Sequence, residues 1–453
     1  MTEGSVSENI KKTPGGNQWS RLRIGGFFVL IAFVIASVYV SNGIIFSAVH
    51  FNHAVENSRN ENLNDLTREN QNGTQNKSQE KTQIKTQSEN VSQSKSPNLV
   101  VDEIQQVIFA KVHKAASSTL QNILLRFAMA RELDVLLPRA QDHINEFGPK
   151  IDPKVLIEHA RGQQFNILCN HLVFNAQEVA AYIPSSAFRF GILRDPLSQA
   201  LSALQYYTTY YLNPGTTMWS AVRKYARDPV KGFLDNPHEF CNERSAYETQ
   251  RCTLDNRMSM DLGFDTSRMF QSKRNKTKIQ EFVSQIERQF DLMLISEYFD
   301  ESMVLLRRYL HWQMKDIIYL RVNAAVAENK SKYVWRRDVQ PDTIQLRTFK
   351  QWAAVDIALY EHFLPEFLKK IKKEHLFHEE VAAFKEVRSN VADFCKNPRN
   401  STGQVLNIPD SRWTQKFSVS VSDCEVMRFA EAQIVQKARI QQLARFYRSQ
   451  RLS

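Results

Sequence analysis

The sequence predicts an α/β fold, a central parallel sheet flanked by helices, in the region after residue 98 of the 453 residues. Two observations predict this fold. Short apolar runs recur along the region, which is typical of strands that are buried on both faces. Between several runs the apolar residues repeat at helical spacing. Strands that alternate with helices form parallel sheets, and such sheets bind ligands beyond the carboxyl ends of their strands.

The predicted strands lie at 104–110, 165–169, 187–193, 290–296 and 317–322. One predicted helix is marked by Leu120, Ile123, Leu124 and Phe127. A second amphipathic pattern covers residues 298–314. The loops after 110, 169 and 193 are therefore where binding and catalysis are expected.

The N-terminus predicts a membrane anchor. Residues 24–49 contain no charged side chain and are long enough to span a bilayer. Basic residues lie before this segment and not directly after it, which predicts a cytosolic tail at 1–23 and a single-pass type II signal-anchor helix at 24–49. A cleaved signal peptide, with cleavage near Ser47, is the open alternative.

Residues 50–98 are rich in Asn, Gln, Ser, Thr and Lys, and this composition cannot form a packed core. We interpret them as a disordered, glycosylated stem, followed by a luminal domain at 99–453. Glycosylation sequons occur in the stem and downstream of it. The predicted acceptors are Asn72, Asn76, Asn90, Asn275, Asn329 and Asn400.

The five cysteines all follow the predicted anchor, which agrees with an oxidising lumen. From their positions we pair Cys241 with Cys252 and Cys395 with Cys424, and we leave Cys169 free. The net charge is +11, most of it after residue 98. Such an excess suits nucleic acid, an anionic membrane or an anionic cofactor, and a luminal address excludes nucleic acid.

The segment FAKVHKAASST, which starts at residue 109, predicts an anion-binding loop between a strand and a helix. The helix N-terminus offers free N–H groups, the side chains are small, and lysines add positive charge. The segment lacks the glycines of a Walker loop. The simpler alternative is a solvated turn that caps a helix. The predicted cradle comprises Lys111, Lys114, Ala115, Ala116, Ser117, Ser118 and Thr119.

A second anion site is predicted in the segment LRDPLSQALS, which starts at residue 193. Asp195 suits a helix N-cap and Pro196 a first helical position. Arg194 then lies at the strand end, and Ser202 follows two helical turns later. A guanidinium and a hydroxyl together would bind a phosphate, whereas an isolated Arg-Asp pair would be the plainer interpretation.

These segments resemble the galactose-3-O-sulfotransferase family, which includes galactosylceramide sulfotransferase. FAKVHKAASST resembles the family's lysine-rich loop, and ILCNHLVFN, RDPLSQALSALQYY, RMSMDLGFD and ISEYFDESMVLLRRYLHW follow in the family's order. The resemblance covers roughly residues 105–325. Val112 and Ala115 stand where the family usually has threonines.

The resemblance implies a P-loop-like sulfotransferase fold and a Golgi enzyme. The enzyme would move a sulfuryl group from 3′-phosphoadenosine 5′-phosphosulfate (PAPS) to the 3-hydroxyl of a terminal β-galactose on galactosylceramide-type glycolipids. Glycoprotein or other glycan acceptors remain open, as does a catalytically silent binding protein, because of Ala115. The sequence does not decide between a monomer and a homodimer.

For the donor, the resemblance implies that Lys114 stabilises the leaving group and Lys111 assists. Arg194 and Ser202 would hold the 3′-phosphate. No His and Cys cluster has the spacing of metal ligands, so we expect no tightly bound metal.

For the acceptor, a base near neutral pH is needed, and His171 and His113 both follow predicted strands. We slightly favour His171 as the base, with His113 orienting the hydroxyl. Asn170 and Asp261 are candidates for acceptor binding. The tyrosines at 206–211 are interpreted as core, and residues 426–448 as a packed C-terminal helix rather than a membrane-surface helix.

Overall fold

The computed structural model describes residues 102–146, 148–159, 162–241, 254–264, 269–321, 339–396 and 405–452. The predicted tail, anchor and stem lie outside these residues, as do all the predicted glycosylation acceptors except Asn275. Within the described ranges, no helix is both long enough and apolar enough to cross a bilayer. Asn275 is exposed, and its side chain accepts a hydrogen bond from the Lys278 N–H at the start of a helix.

The central sheet has four strands: β1 (Val107–Ala110), β3 (Ile167–Leu168), β5 (Phe188–Leu193) and β6 (Leu292–Ile295). Their order in the sheet is β3-β1-β5-β6, and every neighbouring pair is parallel. β1 and β6 are buried along their whole length, as the apolar runs predict. The predicted α/β class with a parallel sheet is confirmed.

The prediction of a strand at 317–322 is wrong for the described residues, which extend to Arg321. Ile317 ends a short helix, and the following residues up to Arg321 form no strand. The Ile318 carbonyl accepts a hydrogen bond from the Arg126 guanidinium instead of from a neighbouring strand. The apolar run is buried because it packs on the core, and burial alone does not make a strand.

Sixteen helices surround the sheet in the part of the chain that the structure describes. The first are α1 (Ser117–Ala130), α2 (Ala176–Ala180), α3 (Pro196–Tyr210), α4 (Thr217–Lys224), α5 (Pro229–Asp235), α6 (Pro237–Phe240), α7 (Arg257–Asp261) and α8 (Met269–Ser272). The others are α9 (Lys276–Gln289), α10 (Phe299–Leu310), α11 (Met314–Ile317), α12 (Thr343–Trp352), α13 (Ala354–Lys373), α14 (Phe377–Lys396), α15 (Val421–Met427) and α16 (Glu431–Leu452).

Two small sheets complete the fold. β2 (His143–Asn145) pairs in parallel with β4 (His171–Leu172) in a separate sheet of two strands. β7 (Val405–Ile408) pairs with β8 (Phe417–Ser420) in an antiparallel hairpin. The sequence did not predict either pair, because strands of two to four residues carry too little periodicity to detect.

The C-terminal helix α16 packs along α1, as predicted. Gln442 exchanges hydrogen bonds with the Val135 backbone, and Arg445 pairs with Asp134 at 2.8 Å. Before α16, a disulfide joins Cys395 in α14 to Cys424 in α15, which confirms the predicted pair. Cys169 is free and buried, also as predicted.

Cys241 is disulfide-bonded. Its predicted partner, Cys252, lies outside the described residues.

Candidate active site

The loop between β1 and α1 has a backbone conformation suited to anion binding, although it contains no glycine. Lys114 and Ala116 both have left-handed backbone conformations, with φ of 60° and 61°. Glycine normally occupies such positions, because a side chain there costs about 1–2 kcal/mol. Alternating conformations of this kind turn successive N–H groups towards one point. Among the described residues, the N–H groups of Ala115 and Ser117 donate to no backbone carbonyl.

The remaining residues of the predicted cradle lie in the same turn. Ala115 and Ser117 are buried, and Ser118 is exposed at the start of α1. Thr119 donates its N–H to the Ala116 carbonyl and closes the turn. Ala116 is exposed, so the backbone at this point is open to a ligand. The structure therefore brings the predicted cradle residues together at the carboxyl end of β1.

The second predicted anion site lies directly beside the first. β1 and β5 are parallel neighbours, and Arg194 follows β5. Arg194 Nη1 donates to the Lys114 carbonyl at 3.0 Å, so the two cationic residues share one edge. Asp195 caps α3 by accepting from the Ser198 N–H, as predicted. Ser202 Oγ in α3 is buried and has no hydrogen-bond partner in the described structure, and its predicted contact with a phosphate stays a prediction.

Lys114 is half-buried, with its ammonium 3.9 Å from the centre of the Tyr206 ring. Burial, together with the positive charges of Arg194 and Lys111, lowers the pKa of Lys114 to about 7. The prediction that the tyrosines at 206–211 form core is therefore incomplete. Tyr206 contacts a site residue, and Tyr211 is 55% exposed.

His113 is held by an acidic partner. Its backbone N–H donates to Asp261 Oδ2 at 2.7 Å, and its Nδ1 lies 2.9 Å from the same oxygen. Arg257 Nε also donates to Nδ1 at 3.2 Å, so an acceptor and a donor both lie against this nitrogen, and its contacts fit either tautomer of the ring. Burial would raise the pKa of Asp261, but Arg257 and His113 outweigh burial and lower it. Asp261 therefore stays ionised and fixes the ring of His113.

Arg257 begins α7 and completes this cluster. Its Nη2 lies 3.0 Å from Asp261 Oδ1 and 2.8 Å from His113 Nδ1, and it donates to the Glu146 carbonyl at 3.2 Å. Glu146 Oε1 lies 3.9 Å from His113 Nε2. The Glu146 side chain is 26% exposed, so this side of His113 opens towards solvent.

His171 stacks on His113 with ring centres 3.8 Å apart, but its bonding is different. Its Nε2 lies 2.7 Å from Lys111 Nζ, so this nitrogen accepts from the ammonium. Burial and the nearby cationic groups hold the pKa of His171 well below its usual range. Nδ1 must then carry the ring proton. The nitrogen of His171 that could take up a proton is already occupied by Lys111.

Lys111 itself is buried between His171 and a residue of the C-terminal helix. Its Nζ donates to Glu431 Oε1 at 2.7 Å, and Ser118 Oγ donates to Glu431 Oε2 at 3.0 Å. Asn170 is also buried, and its Nδ2 donates to the Asp142 carbonyl at 2.9 Å. Asn170 thereby holds the loop that precedes β2, and its predicted contact with the acceptor stays a prediction.

Comparison with known proteins decides the family. A family model for galactose-3-O-sulfotransferase matches residues 73–418 of the chain. The chain belongs to the galactose-3-O-sulfotransferase family. It is thus an enzyme of the sulfotransferase class, and the lysine-rich loop that carries the sequence resemblance is the loop that forms the cradle.

Two relatives illustrate the similarity of this galactose-3-O-sulfotransferase family member. Galactose-3-O-sulfotransferase 2 of Homo sapiens is 32% identical over 313 residues, which cover 68% of this chain and 72% of the relative. Galactosylceramide sulfotransferase of Mus musculus is 30% identical over 306 residues, 66% of each protein. A solved sulfotransferase from Alicyclobacillus acidocaldarius covers 58% of the chain at 12% identity, with a TM-score of 0.28, and no argument rests on it.

Sequence reasoning missed several residues of this sulfotransferase site. Glu431 and Glu146 are distant in sequence from the loops that they contact, and no local pattern marks them. Arg257 is the first residue of the RMSMDLGFD stretch but was given no role; at i, i+4 from Asp261, it could have been paired with it on one helix face. Within the described residues, no group of three or more His, Cys, Asp and Glu side chains is arranged to hold a metal ion.

Proposed function

We propose that this enzyme transfers a sulfuryl group from PAPS to the 3-hydroxyl of a terminal β-galactose, on a glycolipid of the galactosylceramide type. Family membership supports the reaction class. The observation that carries the donor assignment is the adjacency of Lys114 and Arg194, joined by a 3.0 Å hydrogen bond at the ends of neighbouring strands. Two cationic groups this close suit a ligand with two phosphates.

The residues present fit such a donor, which when bound supplies the sulfuryl group. The free N–H groups of the cradle and the ammonium of Lys114 would hold the 5′-phosphate and offset the charge that develops there. The Arg194 guanidinium and the unpaired hydroxyl of Ser202 would hold the 3′-phosphate. Positioning and charge stabilisation of this kind account for most of the catalysis in related group transfers.

His113 is the better candidate for the base. In the tautomer that donates Nδ1–H to Asp261, Nε2 of His113 would receive the proton of the acceptor hydroxyl, with Arg257 Nη2 3.3 Å from it. Nε2 of His171 accepts from Lys111 and is not free. We therefore favour His113 over His171 as the base and propose that His171 positions Lys111.

Glu146 lies at the rim of the site, beside Nε2 of His113. Desolvation would raise the pKa of Glu146, but the neighbouring His113, His143 and Arg257 outweigh it and lower the pKa. An ionised carboxylate at this place would accept hydrogen bonds from sugar hydroxyls next to the reacting one. Asp261 has both oxygens turned to His113 and Arg257, and its predicted contact with the acceptor stays a prediction.

The proposed cellular setting follows the sequence. A single-pass type II anchor at 24–49 would place the enzyme in the Golgi membrane with its catalytic domain in the lumen. The mouse and human relatives named galactosylceramide sulfotransferase support a glycolipid acceptor. The human relative named galactose-3-O-sulfotransferase 2 keeps glycan acceptors as the alternative.

The test is a transfer assay with the full chain, PAPS labelled in the sulfuryl group, and a panel of galactosides. We expect label on galactosylceramide and none on a substrate whose galactose 3-hydroxyl is blocked. Label on soluble glycans alone would move the acceptor to the alternative class. Binding of adenosine 3′,5′-bisphosphate without transfer to any galactoside would identify a silent protein.

A further inference from the structure

A carboxylate occupies the donor cradle in this structure. Glu431 accepts from Lys111 Nζ at 2.7 Å with one oxygen and from Ser118 Oγ at 3.0 Å with the other. Both donors belong to the cradle predicted to bind phosphate. Glu431 thus makes contacts that the oxygens of a bound anion would make with the same groups.

The charge of Glu431 reaches the rest of the site. The carboxylate lies 3.7 Å from His171 Nε2. Its negative charge also raises the pKa of Lys114, whereas burial, Arg194 and Lys111 lower that pKa. A phosphate placed in the cradle would act on these groups in the same direction, so the two anions compete for one set of positive charges.

The position of Glu431 would allow its side chain to be displaced by a ligand. Glu431 is the first residue of α16, and its side chain is 19% exposed beside the buried Lys111. The helix behind it is fixed by Gln442 and Arg445, and the helix before it by the disulfide at Cys424. The side chain can therefore rotate away while the helix stays in place.

This carboxylate comes from a segment beyond the residues that the family model matches. The match covers residues 73–418, and α16 begins at residue 431. The predicted donor cradle lies inside the matched residues, and Glu431 lies outside them.

We propose that Glu431 competes with the donor phosphate for Lys111 and Ser118 and so sets the affinity for the donor. This inference rests on the proposed function, because it takes the donor to be PAPS. Before the donor enters, Glu431 neutralises Lys111, which would otherwise be a buried charge with only the neutral His171 ring as a partner. When the donor enters, its phosphate replaces the carboxylate and the Glu431 side chain turns to solvent.

The test compares wild type with Glu431→Gln in the full chain. Calorimetric titration with adenosine 3′,5′-bisphosphate measures binding, and steady-state kinetics measure KM for PAPS and kcat. We expect Glu431→Gln to bind the bisphosphate and PAPS about three- to tenfold more tightly, with kcat within about twofold of wild type. Glu425→Gln is the control, because it removes the same charge from an exposed position on α15.

The outcomes are separable. Unchanged or weaker binding in Glu431→Gln, with binding intact in wild type, would overturn the competition. A loss of kcat above about tenfold with unchanged KM would also overturn it and make Glu431 a positioning residue for Lys111. Absence of bisphosphate binding in both proteins would instead refute the donor assignment, and the competition with it. If Glu425→Gln tightened donor binding as much as Glu431→Gln, the effect would come from the change in net charge, and the proposed contact of Glu431 with the cradle would be rejected.

Discussion

At the scale of single residues, the two stacked histidines differ in the partner that each ring nitrogen has. The carboxylate of Asp261 and the guanidinium of Arg257 lie against Nδ1 of His113, whereas the ammonium of Lys111 donates to Nε2 of His171. A histidine oriented by a carboxylate presents its other nitrogen as a base. A histidine that accepts from an ammonium has no lone pair to offer.

His113→Ala should therefore lower kcat by about 10²- to 10⁴-fold, the usual contribution of a positioned general base. The KM for PAPS should change little, because the donor contacts the backbone of the loop and not this ring. Steady-state kinetics measure both constants, and His378→Ala provides a control at an exposed histidine. Wild-type kcat in His113→Ala together with a large loss in His171→Ala would restore His171 as the base.

A second residue-scale prediction concerns pH. The pKa of Lys114 is lowered to about 7, so Lys114 loses its positive charge as the pH rises above this value. We expect kcat/KM for PAPS, which reports the free enzyme, to fall by up to about tenfold for each pH unit above 7.

The matched variant is Lys114→Arg, whose guanidinium stays charged across this range. Its kcat/KM should be lower at pH 7 but nearly level up to about pH 8.5, because a guanidinium, with a pKa above about 12, does not titrate in this range. An equal decline in both proteins would assign the titration to another group.

At the scale of elements, the turn into α1 is strained. Ala116 adopts φ of 61° in an exposed position where a β-carbon is unfavourable. Replacing Ala116 with glycine should raise the free energy of unfolding by about 0.5–1 kcal/mol, since relief of the strain exceeds the added freedom of the unfolded chain. Denaturant unfolding measures the change.

The control is Ala444→Gly, at an exposed position inside α16. It should lower the free energy of unfolding by about 0.5–1 kcal/mol, because glycine is unfavourable within a helix. A decrease in both variants would show that the loop is not strained at Ala116.

Another element-scale feature is the joint between α7 and α13. Asp356 in α13 is buried and accepts from the Met258 and Ser259 N–H groups and the Ser259 hydroxyl, which anchors the helix that carries Asp261. Burial raises the pKa of Asp356 from 3.8 to about 7. The folded state thus holds the proton more tightly than the unfolded chain does.

The stability that this proton provides is fully present below pH 3.8 and is lost as the pH rises towards 7. Asp356→Asn cannot titrate, so its unfolding free energy should decline less between pH 4.5 and 7 (about the window that the two pKa values set). Parallel curves for wild type and Asp356→Asn in chemical denaturation would contradict this assignment.

At the scale of the whole molecule, the Cys395–Cys424 disulfide ties α14 to α15 and so limits where α16 can lie. Replacing both cysteines with serine should lower the free energy of unfolding by roughly 3–4 kcal/mol, the loop-closure entropy for a bridge of this span. It should also weaken the contact of Glu431 with Lys111, and this would show as tighter PAPS binding.

Cys169→Ser is the control for the disulfide variant, because Cys169 is free and buried. An unchanged free energy of unfolding in the double variant would mean that packing alone holds α15.

How far the sequence predicts this molecule depends on the distance over which each feature is encoded. Four strands and the loops at their ends could be predicted, because apolar runs and cap residues such as Asp195 are local signals. The adjacency of Arg194 and Lys114 could also be predicted, because parallel strands bring their carboxyl ends together.

The remaining features could not be predicted, for physical reasons. The left-handed backbone at Lys114 and Ala116 could not be predicted from the sequence, because neither lysine nor alanine favours that conformation. The contact of Lys111 with Glu431 joins residues 320 positions apart. The role of each histidine depends on such distant partners, and this is why the sequence alone favoured His171.

The position of α16 also has a consequence for how the chain is made. Its first residue, Glu431, binds Lys111, which follows β1 and lies 320 positions earlier in the chain. During synthesis, the N-terminal strands emerge and fold while Lys111 still lacks its anionic neighbour. The pocket therefore acquires its final electrostatic balance only after α16 has been synthesised, and a chain that stops before residue 431 would leave Lys111 without this carboxylate.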